Sequence, residues 1–317
     1  MKKFSFYFIA LFLLPTLVLT SCKKENEETF DAQKELTTHL VAQNLDLNTI
    51  LDGFVMTPPE NGDVSNKYVI DIRTADEFAT GHITGAHRTD WANILVEAAK
   101  ADKDILVVCK TGQTATYAST LLRLAGYKTS KALKWGMSGW NASLDIWSAN
   151  TGDIAVGHAN WSTEAAPTNL TYSSPKFSST STTPSEILKE RVAAVLAEGF
   201  RSVSPTEVLD NAGNYFINNY FSDADYTNFG HIKGAYRINP LLVSDGQVNF
   251  LDPSKTITTY CYTGQTSGAI TAYLRVIGYD AKSIMFGMNK FNHSSTAWTS
   301  NKWTSNMAKN LPIVTGN

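Results

Sequence analysis

Two short runs concentrate the reactive side chains of this sequence. Cys109 opens Cys109-Lys110-Thr111-Gly112-Gln113-Thr114-Ala115, and Cys261 opens Cys261-Tyr262-Thr263-Gly264-Gln265-Thr266-Ser267. In both, a strand-like stretch leads to the cysteine, apolar before Cys109 and rich in Thr before Cys261, and a helix-like pattern follows the loop. A thiol at that junction can collect several backbone N–H groups at one point, as an anion nest does. The following helix N-terminus adds partial positive charge. Both effects favour thiolate and predict a pKa below the free value of about 8.5. Gly112 and Gly264 supply backbone freedom for a tight loop. Thr111, Thr114, Thr263 and Thr266 can add hydroxyl donors, and Lys110 can hold an anion. The competing readings are a buried, inert thiol at either position and a Cys109–Cys261 disulfide. No histidine shares metal-ligand spacing with a cysteine, so neither a metal nor another cofactor is expected.

The elements that must position these loops occur twice. Gly81-His82-Ile83-Thr84-Gly85-Ala86-His87-Arg88 recurs as Gly230-His231-Ile232-Lys233-Gly234-Ala235-Tyr236-Arg237. Gly126-Tyr127 and Gly278-Tyr279 follow their cysteines at equal distance, and Trp135-Gly136-Met137 answers Phe286-Gly287-Met288. Repeats in the same order imply a duplicated domain. Strands are predicted over 68–72, 104–109, 130–134, 215–218, 256–261 and 281–286, and helices over 114–125, 138–147, 183–197 and 266–277. Strands alternating with helices imply an α/β fold with a small parallel sheet flanked by helices in each half. The chain then divides into a signal segment 1–21, a tether 22–34, a first domain 35–165, a linker 166–185 and a second domain 186–317. Ser173 to Ser185 is almost entirely Ser, Thr and Pro and is expected to be flexible, whereas the 183–197 helix is expected on the second domain.

The run Tyr68-Val69-Ile70-Asp71-Ile72-Arg73, then Glu77-Phe78, then Gly81 to Ala86, followed by the loop Cys109 to Ala115, resembles the rhodanese family. The resemblance covers roughly residues 40–148 and 186–305. It implies sulfane-sulfur transfer through a cysteine persulfide on Cys109 and Cys261, with the backbone of residues 110–115 and 262–267 as the cradle. A small-molecule donor such as thiosulfate or a polysulfide and a thiol or cyanide-like acceptor are the implied partners. Asp71, Arg73 and Glu77 would form a charge network beneath the first loop. The second half departs from this, with Tyr215 to Phe221 carrying Asn and an aromatic where the first has Asp71 and Arg73, and Tyr262 replacing Lys110. Its pocket is expected to be less cationic and more apolar. His82, His231, Trp135, Trp140 and Trp147 read as structural. A phosphatase or arsenate reductase on the same fold would need Arg six positions after the cysteine, where Ala115 and Ser267 stand. A module that carries persulfide or docks a partner with little turnover is the other reading; the partner is not named by the sequence.

Lys2 and Lys3, then the apolar run Phe4 to Val18, form a signal-like segment ending in Leu19-Thr20-Ser21-Cys22. This resembles a bacterial lipobox, which implies lipidation at Cys22 and an exported, membrane-anchored protein. The alternative is an ordinary secretory signal with an incidental cysteine. The acidic stretch after Cys22 resembles a surface-export signal. A net charge of -2 gives no electrostatic footprint for nucleic acid.

Overall fold

The computed structural model describes Met1 and residues 30–316, and the chain from Asp31 onward forms one compact unit. Cys22 and the signal-like segment lie outside the described residues. The Asp31 carboxylate accepts the N–H groups of Gln33 and Lys34, each at 3.1 Å, and so caps α1 (Ala32–Ala42). The expected tether through residue 34 is therefore already helical from Ala32. Asp46 caps α2 (Leu47–Leu51). The first domain continues through β1 (Val55–Met56), β2 (Lys67–Asp71), α3 (Ala75–Thr80), β3 (His87–Arg88), α4 (Ile94–Ala98), β4 (Asp104–Val108), α5 (Gln113–Leu124), β5 (Lys131–Leu133) and α6 (Gly136–Trp140). After β6 (Trp161–Ser162), the second repeats the plan: α7 (Pro184–Glu198), β7 (Ser202–Val203), α8 (Pro205–Asp210), β8 (Phe216–Asn219), α9 (Asp223–Asn228), β9 (His231–Ile232), β10 (Tyr236–Arg237), β11 (Ile257–Tyr260), α10 (Gln265–Val276), β12 (Ala281–Ile284) and α11 (Met288–Phe291).

The two five-stranded sheets run β1-β5-β4-β2-β3 and β7-β12-β11-β8-β10, and every pairing within them is parallel. Each cysteine follows the central strand of its sheet. Leu106 to Val108 and all of β11 are buried, as strands covered on both faces must be. Register places Asp71 beside Val108 and Asn219 beside Tyr260, so Asn219 occupies the Asp71 position.

The domains do not sit side by side as independent bodies. α5 packs along α10, and a continuous core joins Leu121 and Leu122 to Tyr273 and Leu274. α7, expected on the second domain, packs against α1, α5 and α10 together, because its apolar residues Ile187, Val192 and Val195 feed that shared core. The chain also exchanges arms. Gly152 and Ala155 N–H donate to Asn289 and Phe291 carbonyls, and β6 pairs antiparallel with β9, so part of the segment before residue 165 lies on the second domain. In return, residues 309–316 lie on the first. Trp140 Nε1 donates to the Pro312 carbonyl at 2.8 Å, and Val314 bridges His82.

The Ser/Thr/Pro-rich segment has no regular structure, but it is not loose. Phe177 packs into the core margin under the Arg191 guanidinium, 4.6 Å from the ring centre. Glu190 gathers Ser179 Oγ at 2.6 Å and Thr180 N–H at 3.1 Å. One aromatic anchor and one carboxylate supply the partners that its composition does not advertise.

Candidate active site

Residues 109–115 turn around the Cys109 sulfur. Gly112, in the left-handed region at φ 85°, caps α5 and makes the reversal possible. Gly112 N–H donates to Sγ at 3.1 Å and Ala115 N–H at 3.3 Å. The expected cradle is therefore in place at the first cysteine. Its expected electrostatic outcome is not. Burial pushes the Cys109 thiol up; the N–H groups of Ala115, Thr111 and Gly112 pull it down, and the Asp71 carboxylate adds to the rise. Only 5% of the residue is exposed, and desolvation outweighs the nest.

Beneath this loop Asp71 and Arg73 pair as expected, but the Glu77 carboxylate does not join them, because Lys110 and Thr74 take it. Arg73 donates through Nη2 to Asp71 Oδ2 at 2.6 Å and through Nε to Asp71 Oδ1 at 3.0 Å. The same guanidinium donates to the carbonyls of Gly81 at 2.8 Å and Glu77 at 3.2 Å. Glu77 completes a capping box with Thr74 at the start of α3. Its other oxygen takes Lys110 Nζ at 2.7 Å. Lys110 is thus paired instead of free to hold an anion, because Glu77 stands within reach. Arg73, Glu77, Lys110, Met137 and Asp145 help line a cavity of about 230 Å³ beside the loop. A larger hollow of about 580 Å³, lined by Lys67, His87 and Lys103, contains none of the cysteine-loop residues.

The second loop keeps the backbone turn and changes the chemistry. Gly264 is also left-handed, at φ 75°. The sulfur of Cys261 has the hydroxyls of Thr263 and Ser267 at 3.9 Å, and Ser267 bonds Ser283 at 2.9 Å. Asn219 accepts the Phe221 N–H at 3.0 Å, as Asp71 accepts that of Arg73, but it donates to Tyr260 Oη at 2.8 Å. Phe221 is buried in place of Arg73 and stacks on Tyr262, ring centres 4.6 Å apart. Trp298 lies against Tyr262 at 6.2 Å, and Tyr262 donates its hydroxyl to Asp225, the counterpart of Glu77. The less cationic, more apolar second mouth is as expected.

Both cysteine loops are pressed from outside. Met137 N–H donates to the Cys109 carbonyl at 2.9 Å, and Met288 N–H to the Cys261 carbonyl at 3.1 Å. A side chain on Gly136 or Gly287 would collide with those carbonyls, which explains the repeated aromatic-Gly-Met. Among the remaining loop residues, Thr111 Oγ1 accepts from Gln113 Nε2 at 3.1 Å, and Thr263 Oγ1 accepts the Gln265 N–H at 3.1 Å. Thr114 and Thr266 are partly exposed at the helix starts. The side chains of Gln113 and Gln265 reach into the other domain. Gln113 Oε1 accepts Phe286 N–H at 2.8 Å, and Gln265 Oε1 accepts Trp135 N–H at 3.3 Å. Sequence reasoning grouped both with the cradle; only their recurrence marked them.

The residues assigned to packing do pack. His82 and His231 bond the Phe78 and Tyr226 carbonyls at 2.9 Å and stack on those rings. Trp135 and Trp147 join Phe286 and Trp303 in one buried aromatic cluster, from which Trp147 Nε1 donates to the Thr111 carbonyl at 3.1 Å. Trp303 was not anticipated. Nor was Arg123, whose guanidinium serves the carbonyls of Ser130, Ile50, Asp52 and Gly53. Among the described residues, no group of three His, Cys, Asp or Glu side chains is arranged to hold a metal ion.

A buried cysteine in a glycine-turned loop between strand and helix, repeated on two sheets, with the expected backbone cradle bonded to sulfur at Cys109 and hydroxyls in its place at Cys261, defines a class, and comparison with known proteins agrees. The model of the rhodanese-like domain matches residues 56–143 and 208–294, more than half of the chain. The chain belongs to the rhodanese-like family, with two such domains in tandem, and is a sulfurtransferase. It is similar to the thiosulfate sulfurtransferase GlpE of Pseudomonas fluorescens (strain SBW25), 32% identical over 95 residues, which is 28% of this chain and 87% of the relative. Among solved structures, a thiosulfate sulfurtransferase from Pseudomonas aeruginosa aligns at 15% identity and TM-score 0.29, over 85% of this chain and 48% of that one, so this chain spans about half of it. The SseA 3-mercaptopyruvate sulfotransferase of Escherichia coli aligns at 15% identity and TM-score 0.27, over 73% of this chain and 97% of its own.

Proposed function

We propose that the first domain takes sulfane sulfur from a small donor such as thiosulfate or a polysulfide and passes it to a thiophilic acceptor through a persulfide on Cys109. The observation that carries this reading is the convergence of Gly112 and Ala115 N–H groups on one buried sulfur, in a loop where the residue after the cysteine, Lys110, lines a cavity together with Arg73. The thiolate would attack the outer sulfur of thiosulfate, forming a new S–S bond while the donor S–S bond breaks and sulfite departs with the electron pair. The acceptor, a thiolate or cyanide, would then attack the terminal sulfur and return Cys109 as thiolate. A persulfide places its negative charge one atom further out, where the same N–H groups can share it.

The second domain supports a different emphasis. At the second loop Phe221 and Tyr262 replace Arg73 and Lys110, with Trp298 against Tyr262, and the loss of both cations favours a holding or docking role over turnover with small anions. Cys109→Ser is therefore expected to remove most thiosulfate-dependent transfer, and Cys261→Ser to leave the larger part. Full activity in Cys109→Ser, measured with thiosulfate and cyanide, overturns the assignment. Anchoring to a bacterial membrane through lipid on Cys22 belongs to the same proposal; it rests on the signal-like run Lys2 to Cys22.

A further inference from the structure

We infer that Gln113 and Gln265 are reciprocal positioning residues, each holding in place the cysteine loop of the other domain. The inference deepens the proposed reaction and rests on Cys109 and Cys261 being its reactive thiols.

The path from each glutamine to the opposite cysteine is short. Gln265 Oε1 accepts the Trp135 N–H at 3.3 Å. Trp135 is left-handed at φ 67°, a conformation unfavourable for a bulky side chain that persists only where its surroundings hold it. The next two residues do the pressing. Gly136 abuts the Cys109 carbonyl, and Met137 N–H donates to it at 2.9 Å. Ser138 then donates to the Lys110 carbonyl through N–H at 3.0 Å and Oγ at 2.9 Å. An acceptor from the second domain thereby fixes the turn that seats the first cysteine.

The mirror path is equally complete. Gln113 Oε1 accepts the Phe286 N–H at 2.8 Å, and Phe286 is left-handed at φ 61°. Gly287 abuts the Cys261 carbonyl, and Met288 N–H donates to it at 3.1 Å. Further contacts keep the two helix starts in register. Thr116 Oγ1 donates to the Gln265 carbonyl at 2.8 Å, and a side chain on Gly268 would strike the Gln113 carbonyl. Both glutamines are buried, so their bonds form in a setting where a lost partner leaves an N–H without water. Gln265 Nε2 has no hydrogen-bond partner, which makes the Oε1 acceptor the half of that amide that bonds.

The arrangement predicts a crossed pattern. In the full chain, the alkylation rate of each cysteine by iodoacetamide is followed by peptide mass spectrometry, without any sulfur donor. Gln265→Met should slow Cys109 by about fivefold, the scale of one lost hydrogen bond, and affect Cys261 less. It should also move the pH profile of Cys109 alkylation upward, since a displaced loop no longer aims Gly112 and Ala115 N–H groups at the sulfur. Gln265→Glu keeps the acceptor and should restore the Cys109 rate. Gln113→Met should act mainly on Cys261. Thermal melts identify any variant that fails to fold, and Gln→Glu then decides for that site. The inference is overturned if each glutamine affects chiefly the cysteine of its own loop, if neither cysteine responds, or if Glu and Met behave alike. Because alkylation needs no sulfur donor, failure of the persulfide reading would leave this pattern intact, and the reverse holds.

Discussion

At the scale of single residues, the first site is a thiol held up in pKa by burial and supplied with N–H donors that act on any anion it becomes. Since its folded pKa lies above the ordinary thiol value of about 8.5, the thiolate fraction is small at neutral pH and grows as pH rises past that value. Sulfur loading should therefore keep accelerating above pH 8.5; a rate that levels off below pH 7 in single-turnover loading would contradict the assignment of desolvation as the dominant effect. Charge at the mouth is the second residue-scale matter. Lys110 and Glu77 are both partly exposed, so their pair is screened and modest. Glu77→Gln retains the capping box with Thr74 and removes a carboxylate from the path of an anionic donor. Its KM for thiosulfate should fall by about threefold, and that of Lys110→Tyr should rise by a similar factor, given the strength of exposed pairs. A neutral organic persulfide should be used nearly unchanged by both variants. Equal changes for both donors would mean that the loop, not the charge, was altered.

At the scale of elements, the duplicated domain contains its own control for the buried ion pair. Asp71 and Arg73 are almost fully enclosed at the end of β2, and the same positions at the end of β8 carry Asn219 and Phe221. Breaking such a pair strands a charge at a cost of about 3–5 kcal/mol, whereas a packed apolar substitute can be neutral. Arg73→Phe alone should destabilise by that amount in urea unfolding, and Asp71→Asn with Arg73→Phe should recover most of it. A double variant no better than the single would show that the second domain's aromatic solution depends on Tyr262 and Trp298. Elements of this size were legible in sequence where burial imposes a pattern. The predicted strands 68–72, 104–109 and 256–261 and helices 114–125 and 266–277 agree with β2, β4, β11, α5 and α10 within a residue or so at each end. The two-residue edge strands β1, β3, β7 and β10 were not legible, since their pairing comes from neighbours across the sheet and not from periodicity. The 138–147 helix ends at Trp140 because Asn141 leaves the helical region and its side-chain amide donates to the Leu311 carbonyl at 2.8 Å.

At the scale of the whole molecule, the second domain is part of the first site's scaffold. Arms cross in both directions, and Asp46 at the start of α2 accepts the N–H groups of Val243 at 3.0 Å and Ser244 at 2.9 Å. None of these contacts was legible, because each joins residues far apart in sequence through side chains that read as ordinary polar loop residues. What was legible was the duplication itself, and with it the correspondence of Cys109 and Cys261, which are both free thiols and not a disulfide. The membrane proposal also belongs to this scale: Cys22→Ala should move the protein from the membrane to the soluble fraction of cells, and lipid still attached to that variant would count against it. The central claim is that sulfur travels on Cys109. Intact-protein mass spectrometry after treatment with thiosulfate, followed by peptide mapping, tests it most directly. One added sulfur atom should appear on the Cys109 peptide and vanish on adding cyanide, with the Cys261 peptide loaded less. Sulfur confined to the Cys261 peptide, or absent from both, would contradict the account.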